Sequence, residues 1–270
     1  MSYMHPMERL RMVARASGED PGLVAQEAAA ALAGCADDPR ALVMACRRLV
    51  DRQAAAGPVW WLAAQVVAAA DPESAAWRSA RALRDDPTPA VVAAALPEDA
   101  RITVLGWPEQ VTDTLRRRGD ASVLVVDSLG DGSPLVAALE RSGGEALLVP
   151  EAGIGAAVAA SDLLLLDASA VGPGGLLAVA GSRAAAAVAY TEQIPVWVVA
   201  GVGRVLPERL WAAMVDAVTG VADPWDADWE FVPLALATTV FGPDGPLAPA
   251  DALARADCPD APELTGPLGG

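Results

Sequence analysis

Five short apolar runs follow one another in the middle of the chain: Ile102–Leu105, Ser122–Val126, Glu145–Val149, Asp162–Leu166 and Val196–Ala200. Each is rich in Val, Leu or Ile and short enough to be a strand. None alternates cleanly with polar residues, which predicts strands buried on both faces. Helix-like stretches separate them, over 109–118, 133–142, 153–160 and 179–191. Strands alternating with helices imply a parallel sheet wrapped by helices. Such a sheet binds ligands beyond the carboxyl ends of its strands. Function is therefore sought just after each run: at Gly106-Trp107-Pro108-Glu109, Asp127-Ser128-Leu129-Gly130, Pro150-Glu151, Asp167-Ala168-Ser169 and Gly201-Val202-Gly203-Arg204.

Residues 7–95 read as five or six short helices. Breaks fall at 18–21, 37–39, Gly57-Pro58, Asp71-Pro72 and 85–89, and an acidic residue before proline is a good helix start. The 39–56 stretch places Leu42, Val43, Cys46, Leu49 and Val50 on one face of an amphipathic helix. A further helix is expected over 205–219. The expected organisation is an N-terminal helical domain (1–97), a Rossmann-like α/β domain (98–250) and a flexible tail (251–270), with 257–270 too poor in apolar residues to dock firmly.

The chain has 270 residues, 53% of them apolar, enough for a substantial core, and a formal net charge of −16. No apolar run reaches the ~18–20 residues that span a bilayer, and the N-terminus does not read as a secretory signal, so a cytoplasmic protein is expected. Its 19 basic residues are all arginine. The absence of lysine removes Schiff-base chemistry and a Walker-type phosphate lysine. Strong acidity argues against nucleic acid and anionic membranes as partners. Cys35, Cys46 and Cys258 have no metal-ligand spacing, and a single histidine, His5, makes a metal site or a Ser–His–Asp triad implausible. No cofactor and no metal are expected.

Each candidate has a bland reading beside the functional one. Gly201-Val202-Gly203-Arg204 is either a phosphate contact, with Arg204 as its clamp, or a tight turn with a solvated arginine. Asp127 and Ser128 either meet a sugar phosphate or cap the helix that follows. Trp107 is a stacking surface or a packing residue. Asp167 and Ser169 face the glycine-rich turn at 172–175. Trp60-Trp61 and Trp225…Trp229 are pairs that one helix or strand face cannot bury together, which points to interfaces or to the junction between helices and sheet.

The segments Ile102–Val111 (ITVLGWPEQV), Val123–Ser128 (VLVVDS), Glu151–Ala168 (EAGIGAAVAASDLLLLDA), Ile194–Ala200 (IPVWVVA) and Trp229–Pro233 (WEFVP) occur in the order seen in the α/β/δ regulatory subunits of eukaryotic translation initiation factor 2B. The chain resembles that family, which includes methylthioribose-1-phosphate and ribose-1,5-bisphosphate isomerases, over about residues 98–245. The resemblance implies a sugar-phosphate or nucleotide site at Gly106, Trp107, Asp127, Ser128, Asp167, Ser169 and Arg204, and a homodimer with Trp225 and Trp229 at its interface. It also marks departures. Gly106 stands where the isomerases keep a cysteine, Ser169 where they keep an aspartate, and Val179-Ala180 where they keep Asn-Lys. Losing the thiol and carboxylate removes the acid and base of aldose–ketose isomerisation. The expected protein is thus a non-catalytic or altered relative that binds a small phosphorylated metabolite or a protein partner. The alternatives are an isomerase using Asp167 and Asp127, and a purely structural dimerisation module with a sealed pocket.

Overall fold

The computed structural model describes residues 21–220 and 223–266; His5 and the last residues of the expected tail lie outside them. Among the described residues five helices come first: α1 (Pro21–Ala33), α2 (Pro39–Arg52), α3 (Gly57–Ala68), α4 (Pro72–Arg84) and α5 (Thr88–Ala95). The acidic residues before proline act as expected. Asp38 accepts from the backbone N–H groups of Arg40 and Ala41, and Asp71 from that of Ser74, satisfying donors that a helix start leaves open. Helix α2 buries Leu42, Ala45, Cys46, Leu49 and Val50.

Helix α3 is apolar all round and lies in the middle of this layer, in contact with α1, α2 and α4. That position buries both Trp60 and Trp61, at 4% and 3% exposure. One face could not have held the pair; a central helix needs no exposed face. Their indole N–H groups donate to the Ala54 carbonyl and the Asp257 carboxylate, each at 3.0 Å.

The sheet begins at β1 (Arg101–Leu105) and continues through α6 (Glu109–Leu115), β2 (Ser122–Val126), α7 (Gly132–Arg141), β3 (Glu145–Val149), α8 (Ile154–Ala159) and β4 (Leu163–Asp167). A hairpin, β5 (Ala170–Gly172) and β6 (Gly175–Val179), precedes α9 (Ser182–Glu192) and β7 (Val196–Val199). Then come α10 (Glu208–Thr219), β8 (Trp229–Pro233), β9 (Thr239–Gly242), β10 (Gly245–Leu247) and α11 (Pro249–Ala252). Seven strands form one sheet in the order β10-β9-β7-β4-β1-β2-β3, parallel except for β10. Strands β5, β6 and β8 make a separate antiparallel sheet, which the apolar runs did not reveal.

Residues of opposite parity along the strands serve two cores. Ile102, Val104, Val123, Val125, Leu163 and Leu165 meet Val92, Val111, Leu115, Leu135 and Leu139 of α5, α6 and α7. Leu164, Leu166, Val196 and Val198 meet Ala157, Val158, Ala185, Ala186 and Ala189 of α8 and α9. Double-sided burial holds for the inner strands and fails for β3, where Leu147 is 62% exposed. Strand β3 is the sheet's outer edge, and the short α8 leaves part of it uncovered.

The expected free tail is also different. Beyond α11, Cys258, Ala261 and Leu264 are buried against the helical layer. Arg47 donates to the carbonyls of Glu263 and Gly266, Gln65 to that of Asp257, and Arg209 pairs with Asp260. A few small apolar contacts and hydrogen bonds from long side chains hold the segment where composition alone offered no apolar face.

Candidate functional site

Strands β1, β2 and β3 step away from β4 in one direction, and β7 and β9 in the other. The reversal lies between β1 and β4, and a ligand crevice is expected at their carboxyl ends. Here Gly106 follows β1 with φ of +60°, a left-handed conformation that glycine adopts without penalty. It turns the chain into Trp107, which is 38% exposed, and then into α6.

The N-terminus of α6 is where an anion would be held by free N–H groups and the helix dipole. Asp167, the last residue of β4, already sits there: its Oδ2 accepts from the Gln110 backbone N–H at 2.9 Å. Its Oδ1 lies 3.3 Å from Nη1 of Arg204, and the two side chains are only 11% and 5% exposed. Nη1 of Arg204 also donates to the Ala168 carbonyl at 2.6 Å. The arginine is thus a buried tie between the ends of β4 and β7, neither a solvated turn residue nor a clamp open to solvent.

The turn after β7 is equally committed. The N–H of Gly201 donates to Oε1 of Gln110 at 3.0 Å, and the N–H of Val202 to Oδ2 of Asp86 at 2.9 Å. That same carboxylate oxygen accepts from Nε2 of Gln110 at 2.7 Å, while Oδ1 accepts from the backbone and side chain of Thr88. A Cβ on Gly201 would overlap the Asp86 carboxylate and the Gln110 amide, so the glycine allows their close approach rather than that of a phosphate.

Ser169 is buried; its hydroxyl donates to the Ala55 carbonyl, beneath the start of α3. Asp127 Oδ1 accepts from the Gly132 N–H at 2.9 Å at the start of α7, the capping arrangement. Ser128 is 1% exposed and donates to the Ala180 carbonyl at 2.8 Å. The structure therefore brings Asp167 and Arg204 together, buries Gly106 beside Ser128, and leaves Trp107 partly exposed next to it. Asp127, Ser128 and Ser169 are engaged in hydrogen bonds to the backbone, that of Asp127 local and those of Ser128 and Ser169 reaching distant segments. Gln110 and Asp86 were missed from the sequence. Asp86 read only as an acidic residue in a helix break, and Gln110 only as part of the helix-like stretch 109–118.

An open cavity of about 350 Å³ lies elsewhere, between α3 and α4, lined by Trp61, Arg78, Ser79 and Pro259 among others. Among the described residues no group of three His, Cys, Asp or Glu side chains could hold a metal, and no helix is long and apolar enough to cross a membrane.

No protein-family profile and no curated protein sequence matches the chain. Solved structures do. The Pyrococcus horikoshii translation initiation factor eIF-2B aligns over 93% of this chain and all of its own, with a TM-score of 0.77 and 15% identity. The eIF2B beta subunit of Chaetomium thermophilum aligns over 91% of this chain and 88% of its own, with a TM-score of 0.71 and 15% identity. A subunit of the tetrameric eIF2B-beta2-delta2 complex of the same organism aligns over 92% of each chain, with a TM-score of 0.71 and 14% identity. The chain has the fold of the initiation-factor-2B subunits.

Proposed function

We infer that this protein is a non-catalytic member of its fold that works by association with another polypeptide, as a homodimer, and not by turning over a sugar phosphate. One observation carries the reading. The crevice between β1 and β4 is filled by the chain's own groups: Asp167 takes the anion position at α6, Arg204 is neutralised by Asp167, and Gln110 and Asp86 take the N–H groups of Gly201 and Val202. A phosphate entering there would meet two carboxylates and no uncommitted cation among these residues.

Association is supported by Trp225, which is 82% exposed, and by the half-buried Trp229 at the start of β8. Aromatics that become buried at the centre of an interface typically contribute at least about 2 kcal/mol. A protein of this fold was solved as a beta2-delta2 tetramer, which suits an assembly role.

The reading has two tests. In light scattering at micromolar concentration the protein is expected to be a dimer, and Trp225→Ala and Trp229→Ala to weaken it at least tenfold. A monomeric wild-type protein overturns the association. In the second test, no turnover of methylthioribose-1-phosphate or ribose-1,5-bisphosphate is expected. Turnover lost on Asp167→Asn would restore the isomerase alternative.

A further inference from the structure

We propose that the cavity between α3 and α4 is a binding site for a small monocarboxylate with a compact apolar body, independent of the strand-end crevice and of self-association. Its volume, about 350 Å³, falls at the lower end of small-molecule pockets. The shape has a sequence cause. Ala68, Ala69, Ala75 and Ala82 line the cavity, and side chains this small leave the gap unfilled. Trp61 provides an aromatic wall, Ala82 part of the opposite one, and Pro259 closes one side from the returning C-terminal segment. Trp61 is fixed by its hydrogen bond to Asp257, and the segment itself by the bond from Gln65 to the Asp257 carbonyl, so the walls are preformed.

Three polar side chains, Gln65, Arg78 and Ser79, line the cavity. Arg78 is exposed at the cavity and forms no salt bridge with the described residues. Its planar guanidinium suits two parallel hydrogen bonds to a carboxylate. Ser79, 5% exposed, adds a hydroxyl, and Gln65, whose amide nitrogen is engaged, adds an acceptor. The surroundings select against higher charge. The pKa of Asp71 is lowered, first by its hydrogen bonds with Ser74 and to a lesser degree by the nearby charge of Arg78, Asp257 borders the site at Trp61, and the protein carries −16 overall. One cation among these acids balances a single negative charge but not a phosphate dianion.

Benzoate and its neutral isostere benzamide, titrated calorimetrically into the full-length protein, test the assignment. Benzoate is expected to bind at least tenfold more tightly than benzamide. Arg78→Gln, at an exposed position that the fold does not need, should bring the two to equal affinity. Ala82→Leu should weaken benzoate at least tenfold by filling the space. Equal affinity of the two ligands for the wild type would overturn the carboxylate assignment. Benzoate binding that survives Ala82→Leu unchanged, or no saturable benzoate binding at millimolar concentration, would overturn the site. Because neither measurement depends on dimerisation or turnover, failure here leaves the assembly reading intact.

Discussion

Arg204 Nη1 stands 3.3 Å from Asp167 Oδ1 with both side chains almost wholly withdrawn from water. The pair links the turn after β7 to the end of β4, at the place where this fold would otherwise open a ligand crevice. A buried ion pair is a weak source of net stability, but breaking it by removing one partner leaves a stranded charge. Arg204→Ala is therefore expected to cost about 3–5 kcal/mol in urea denaturation. The double variant Arg204→Met with Asp167→Asn keeps an acceptor for the Gln110 N–H and strands no charge, and should recover at least half of that loss. A cost below about 1 kcal/mol for the single variant would mean that the pair is solvated and behaves as a surface bridge.

The glycine that follows β7 carries the second expectation. At Gly201 a methyl group would overlap Asp86 and Gln110, whereas at Gly119 it would meet no heavy atom within 4 Å. Gly201→Ala should lower stability by about 1–3 kcal/mol through overpacking, and Gly119→Ala should leave it within about 0.5 kcal/mol. Thermal melts of the two proteins side by side check this. A harmless Gly201→Ala would show that the Asp86–Gln110 tie is loose enough to open, and would weaken the case for a filled crevice.

How far the sequence could be read depended on the range of the interaction. The inner strands were legible because burial on both faces leaves unbroken runs such as Leu163–Leu166, and the caps because Asp38 and Asp71 bond within three residues of themselves. Strand β3 looked the same as its neighbours, since an apolar run does not say whether a helix will reach far enough to cover it. The hairpin β5–β6 was hidden because its strands are short and the pairing of β6 with β8 joins residues at least fifty positions apart, from Val179 with Trp229 to Gly175 with Pro233. The crevice was half legible. Asp167 and Arg204 were placed correctly at strand ends, but that each would satisfy the other depends on strand order. The role of Asp86 and Gln110 at the turn after β7 gave no signal, because the N–H groups they take there lie 116 and 91 residues away.

The docked C-terminal segment can be followed through its thiol. Burial pushes the pKa of both Cys46 and Cys258 up to about 12, and that of Cys35 is raised as well. A neutral buried thiol is unreactive, so Cys46 and Cys258 should resist a disulfide reagent at about pH 8 in the native protein. Arg47 holds the far end of the segment through the Glu263 and Gly266 carbonyls. Arg47→Ala is expected to raise the labelling rate of Cys258 at least tenfold while Cys46 stays protected. Equal acceleration at both cysteines would instead report loosening of the whole helical layer.

The same thiols set an alkaline limit on stability. Cys46 is wholly buried on α2, and its pKa in the folded protein, about 12, lies above its ordinary value of 9.0. A group whose folded value is raised contributes stability that is fully present below the unfolded value. The contribution is lost as pH rises, because the unfolded chain can release a proton that the folded one retains. Melting temperature should thus fall between about pH 9 and about pH 12. Cys46→Ala removes the titrating group at the cost of a small cavity, so its melting temperature should be lower at neutral pH but decline less steeply across the alkaline range. Parallel melting curves for the two proteins through that range would show that the Cys46 thiol is not what the folded state holds protonated.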